Sequence, residues 1–179
     1  MSDERDLPAA IRLLDRALIW ISLICGGATL VFMTGFTVWN VLIMRKALNA
    51  PIVGAEDLLI LALVVIVAFS IPLGARTGAH IEIEVLEGSM SASFAKWSMV
   101  GVKVAGAVLM AIMAWRLLHA GDTAAKFGET TQQLLISFGP YYRLLAASAL
   151  IYAVVLCLDI WQLLRTGAVV TLKVGGDDL

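Results

Sequence analysis

From Leu58 to Phe69 twelve consecutive residues carry no polar side chain. A segment of that kind satisfies its own backbone only as a helix, and its side chains must leave water. Three other stretches have similar character. A helix rises about 1.5 Å per residue, so roughly 20 apolar residues cross about 30 Å of hydrocarbon. The predicted spans are residues 17–44, 52–76, 97–118 and 141–164. The first exceeds what a crossing needs, which predicts tilt or extension into the headgroups. The third is interrupted by Lys103, and the fourth carries Asp159 near its end.

Composition agrees. Hydrophobic residues make up 60% of the 179 residues, charged residues 15%, and mean hydropathy is +0.91. Soluble domains run at about 45–50% apolar and about 25% charged. One compact core of this size cannot hide the surplus, and lipid can. The net charge of -1 argues against nucleic acid as a partner, since that surface calls for a basic patch. Cys25 and Cys157 sit inside apolar runs and read as small buried hydrophobes, with neither a disulfide framework nor metal spacing. Residues 1–16 are polar, and the apolar run from Ala17 to Met44 is too long for a signal peptide. It reads as a retained first membrane helix.

Trp20, Trp39, Trp97, Trp115 and Trp161 lie toward span ends, as do Tyr141 and Tyr142. Amphipathic rings prefer the headgroup level, so they form an aromatic belt. Residues 45–51 make a short link closed by Pro51, enough for a turn between antiparallel helices. In residues 77–96, His80, Glu82 and Glu84 alternate with Ile81, Ile83 and Val85. A single strand at a bilayer leaves its backbone unpaired, so an interfacial helical extension is expected there. The connection 120–139 is the longest and has room for a short interfacial helix. Residues 166–179 form a flexible tail, and residues 1–165 a single membrane domain. The chain has no internal repeat, so it does not read as an inverted-repeat transporter core.

Basic residues set the topology. With the N-terminus inside, Arg5, Arg12, Arg16, Arg76, Lys96, Arg165 and Lys173 fall inside, and Arg45, Lys46, Arg116, Lys126 and Arg143 outside. The three arginines before the first helix weigh most, and both termini are expected to be cytoplasmic. The fold class is therefore an all-α membrane protein with four transmembrane helices.

The few polar residues near the spans are the candidate site. Glu56 and Asp57 open the second helix, where anions meet the positive end of the helix dipole. They can also face a partner, or Arg45 and Lys46. Arg76, His80 and Glu84 share a face if the second helix continues. That face is either a solvated end or a docking surface. Lys103 lies about one and a half turns inside the third span, from where its stem can snorkel to the headgroups. Asn40, near the end of the first helix, can hydrogen-bond another helix.

These residues form no catalytic set. A haem between spans would need two histidines, and His80 and His119 fall on opposite sides of the membrane. Two histidines without nearby cysteine or aspartate at ligand spacing give no metal cluster. The chain has no phosphate loop and no serine-nucleophile motif.

Ala50 to Leu58 (APIVGAEDL), the apolar run after it, and Gly74 to Ile83 (GARTGAHIEI) resemble one family. It is the small membrane subunit, DctQ type, of tripartite ATP-independent periplasmic (TRAP) transporters. Chain length, four spans and Gly128-Glu129 before the last span are also similar. The sequence departs from the family pattern in having Glu56-Asp57 where Glu-Glu is common. It has Val64 and Val65 where a tryptophan is frequent, and Pro72 in the stretch Phe69 to Gly74. The resemblance implies a non-catalytic subunit of the bacterial inner membrane with no cofactor of its own. It would brace a large multi-span permease subunit that holds the substrate and sodium sites. A periplasmic binding protein would deliver an organic acid. Asn40, Arg45, Glu56, Asp57, Arg76, His80 and Lys103 would then be contacts to the partner or to membrane lipids. The residues also permit a membrane anchor of an oxidoreductase or other complex, and a stand-alone channel or scaffold. The absence of pore-lining polar stripes speaks against the channel.

Overall fold

The computed structural model describes residues 16–76 and 92–166. Four helices, α1 to α4, account for nearly all of them. Helix α1 covers Arg16–Ala47, α2 Ala55–Arg76, α3 Ala92–Phe127 and α4 Gly139–Thr166. All four are long and apolar enough to cross a membrane. The links between α1 and α2 and between α3 and α4 lie together at one end, here the loop end.

Helix α4 is the hub. In its most apolar stretch 44% of residues are buried, against 6% for α3. Ala146, Ala149, Tyr152, Ala153, Val155, Leu156 and Leu163 repeat at three- and four-residue spacing and bury a broad face. The alanines let neighbouring helices approach closely. Ala107 of α3 joins Tyr152 and Leu156 in a core that Ile71 and Ala75 of α2 and Met110 of α3 flank. Gly106 leaves only 3.1 Å between a built Cβ and the Leu156 side chain, and Gly26 lets α1 lie on Phe69 of α2. Gly27 and Gly101 face open space, so neither brings another described helix of this chain close.

Helix α1 packs on α2 and leaves most of its surface outward. Its ladder widens to π-helical geometry over Ser22–Gly26 and again over Trp39–Ala47. Asn49, at φ 49°, ends it, and the Ala50 amide donates back to the Met44 carbonyl at 2.8 Å.

The third helix differs most from expectation. It continues nine residues beyond 118, to Phe127. Gly121 and Ala124 bury one side of this extension, while His119, Asp122 and Lys126 face outward. Such a segment has little net hydropathy but a helical period. Gly128, at φ 65°, stops it, and the Glu129 amide closes on the Ala124 carbonyl at 2.9 Å. The remaining connection, 128–138, is a looped turn in place of a short interfacial helix. A bridge between Thr130 and Ser137 and a bond from the Thr131 amide to the Ile136 carbonyl (2.9 Å) close it. The Gln133, Leu134 and Ile136 amides donate to side chains of Asp57 and Thr131 in place of a helical ladder. Of the interfacial extension expected over 77–96, residues 92–96 belong to α3 and 77–91 lie outside the described residues. The tail 167–179 does also.

Candidate functional site: a loop clasp and two polar crossings

The α1–α2 link and the loop 128–138 meet at the first turn of α2. Acidic residues are favoured there by the helix dipole, and Glu56 and Asp57 occupy it. Glu56 is exposed, whereas Asp57 is buried. One carboxylate oxygen of Asp57 accepts the backbone amides of Gln133 and Leu134, each at 2.8 Å. The Gln133 side-chain oxygen in turn accepts the Gly54 amide. Gly54 has φ 79°, and a Cβ there would collide with the Leu134 side chain. Glycine is therefore required twice over, by dihedral and by space. Asn40, buried near the end of α1, accepts the Ile52 amide through its side-chain oxygen at 3.1 Å. Inside the loop, buried Thr131 accepts the Ile136 amide at 3.1 Å. Two segments some 76 residues apart are thereby clasped into one cap on α2.

The second polar crossing follows from Pro72. Proline has no amide to offer the carbonyl four residues earlier, so Ala68 loses its helical donor. Ser148 of α4 supplies the missing hydrogen, its hydroxyl donating to the Ala68 carbonyl at 2.6 Å. Ser22 of α1, in the first π-helical stretch, donates to the next carbonyl, Phe69, at 2.6 Å. Beside the helical bond that Pro72 cannot make, these two hydroxyls tie α2 to α4 and to α1.

The third crossing is an ion pair. Lys103 Nζ lies 3.2 Å from Asp159 Oδ2, and their side chains are only 13% and 4% exposed. The lysine therefore reaches across to α4 and does not snorkel to the headgroups. By contrast the Arg143–Asp122 pair, also at 3.2 Å, is 58% and 59% exposed.

The sequence-expected residues divide accordingly. Asn40 and Asp57 come together at the clasp, while Lys103 lies toward the opposite end. Arg45, Lys46 and Glu56 face outward at the loop end. Arg76 ends α2, and its side chain, like all of His80, lies outside what is described. Gln133, Thr131, Ser22 and Ser148 did not stand out in the sequence. For Ser148 a signal existed, a lone hydroxyl in an apolar helix, opposite a span that contains proline. For Lys103–Asp159 it was position. Each lies six residues inside the terminal-end limit of its span, Trp97 and Arg165.

These arrangements hold helices together, and they define a class: an integral membrane protein of four helices whose polar side chains chiefly fasten one helix to the next. Among the described residues no group of three or more His, Cys, Asp or Glu is placed to hold a metal. Residues 33–166 match the family model described as "Tripartite ATP-independent periplasmic transporters, DctQ component". The chain belongs to that family and is a small permease subunit of a TRAP transporter. No curated protein and no solved structure matches it.

Proposed function

We propose that the chain is a non-catalytic brace for the large permease subunit in sodium-coupled uptake of an organic acid. It sits in the bacterial inner membrane with both termini cytoplasmic, and a periplasmic binding protein delivers the substrate to the assembled complex. The observation that carries this reading is how the polar groups within the spans are used. Asp57, Ser22, Ser148, Lys103 and Asp159 all bond other parts of the same chain. An ion path needs polar groups that exchange partners with a permeant ion, whereas a brace needs them fixed. The exposed Arg45 and Glu56 are then available to the large subunit or its lipids, and Arg76 and His80 are assigned to the same contact on the sequence.

Affinity purification of the chain from membranes in mild detergent tests this. A much larger multi-span protein should co-purify at a fixed ratio. Recovery of a monodisperse chain with no such companion, from cells that also express the large subunit, would refute it. Arg76→Ala should weaken that co-purification or uptake. Unchanged assembly and uptake would remove Arg76 from the contact set.

A further inference from the structure

Among the described residues four have a positive φ, and all four stand at the loop end: Asn49, Gly54, Gly128 and Leu135. Glycine adopts that region without steric cost, and asparagine visits it readily. Leucine does neither. At φ 54° its Cβ crowds the backbone, which disfavours the conformation by a factor of roughly 5–30. Burial of the side chain can offset such a cost, but Leu135 is 70% exposed. Its backbone is therefore held in place by what surrounds it in the loop.

The residues on either side supply the hold. Immediately before it, the Gln133 and Leu134 amides donate to one Asp57 oxygen at 2.8 Å each. The Gln133 side chain accepts the Gly54 amide, and the Leu134 side chain fills the space beside Gly54. Immediately after it, the Ile136 carbonyl accepts the Thr131 amide at 2.9 Å, and the Ile136 amide donates to the Thr131 hydroxyl at 3.1 Å. Leu135 joins these two sets of anchors, and the unfavourable backbone falls to it.

We propose that the loop 128–138 is a strained latch. Its bonds to Asp57 keep it shut against the backbone of Leu135, and it opens as a unit while the helices stay packed. In the open state Leu135 returns to negative φ, the Gln133 and Leu134 amides leave Asp57, and Gln133 leaves Gly54. The contacts that join α3 to α4 lie elsewhere and persist: Gly121 against Tyr142, and the core around Ala107, Tyr152 and Leu156. The α1–α2 link keeps its own bond between Asn40 and Ile52. Opening thus uncouples the loop from the first turn of α2 and uncovers the Asp57 carboxylate. Exposed loops belong to the low-stability end of a fold, and strain of this kind clusters in segments that switch. The latch is a property of the chain alone and stands or falls separately from the bracing role.

Residue-resolved amide hydrogen exchange on the full chain in phospholipid nanodiscs tests it. The Gln133 and Leu134 amides report the latch, and those of buried Val155 and Leu156 in α4 report the core. Residue 135 follows both reporter amides, so replacing it leaves their intrinsic exchange chemistry unchanged. Leu135→Asn relieves the backbone and should slow exchange of both reporters by roughly threefold or more. Leu135→Val, branched at Cβ, should speed it. Core exchange should stay as in the wild type, which also shows that each variant is folded. Reporter rates that are the same in wild type and both variants would overturn the latch, because strain at Leu135 would then not oppose the bonds to Asp57. Faster exchange in Leu135→Asn would overturn it also. So would reporters that exchange in step with Val155 and Leu156 in the wild type, since the loop would then open only when the whole chain unfolds.

Discussion

Lys103→Met is the perturbation with the largest consequence that the structure allows to be estimated. At 3.2 Å between Nζ and Oδ2, the Coulomb attraction is about 5 kcal/mol at an effective dielectric of about 20. Desolvation of both ions offsets much of it, so the pair as a whole contributes little. Its loss is asymmetric, however. Removing the lysine takes the countercharge from the buried Asp159 carboxylate, and a broken buried pair costs about 3–5 kcal/mol. Removing both charges, as in Lys103→Met with Asp159→Leu, should return most of that loss, because apolar side chains of similar volume often serve as well. The assay is reversible unfolding in mixed micelles, followed by near-ultraviolet circular dichroism, for the wild type, both single variants and the double. The Arg143–Asp122 pair is the internal control. At the same distance but more than half exposed, it should change stability by less than about 1 kcal/mol in Asp122→Asn. A Lys103→Met variant as stable as Asp122→Asn would refute the reasoning. So would a double variant as unstable as the sum of its singles, since the charges would then act independently.

Three further outcomes follow from the other crossings. Ser148→Ala should cost about 1 kcal/mol by orphaning the Ala68 carbonyl. The same change should be nearly neutral in a Pro72→Ala background, where the helix can satisfy that carbonyl itself; equal costs in both backgrounds would exclude the link to proline. Asp57→Ala should release the loop, raising hydrogen exchange at the Gln133 and Leu134 amides at least roughly tenfold while the α4 core stays protected. Asp57→Asn, which keeps an acceptor, should fall between, and unchanged exchange in both variants would remove the clasp. Gly54→Ala should lose roughly 1–2 kcal/mol from its left-handed backbone alone, and more from the Leu134 collision. Leu134→Ala in the same chain should restore only the second part, as read by thermal unfolding.

The sequence disclosed what depends on single-residue character and hid what depends on pairing. Four spans were legible because hydropathy sums over a window, and the apolar run around Leu58 to Phe69 leaves no other fold open. The extension of α3 to Phe127 was not, because Gly121 and Ala124 contribute through small size and period while His119, Asp122 and Lys126 lower the mean. Asp57 was read correctly as a first-turn acid, but its neighbours Arg45 and Lys46 in sequence were poor guides to its partners. Those are backbone amides 76 and 77 residues away, and an amide carries no signature in a sequence. Lys103 was read as a snorkelling residue because a lysine viewed on one helix has only the headgroups to reach. Viewed on two antiparallel spans, its distance from the span end equals that of Asp159, and opposite charges at equal depth are a pairing that sequence can disclose. The same rule, applied to Pro72 and Ser148, matches a missing donor to a hydroxyl on another span. For a membrane helix the informative question is therefore which polar residue on another span stands at the same depth, since hydrocarbon offers a charge or an orphaned carbonyl no other partner.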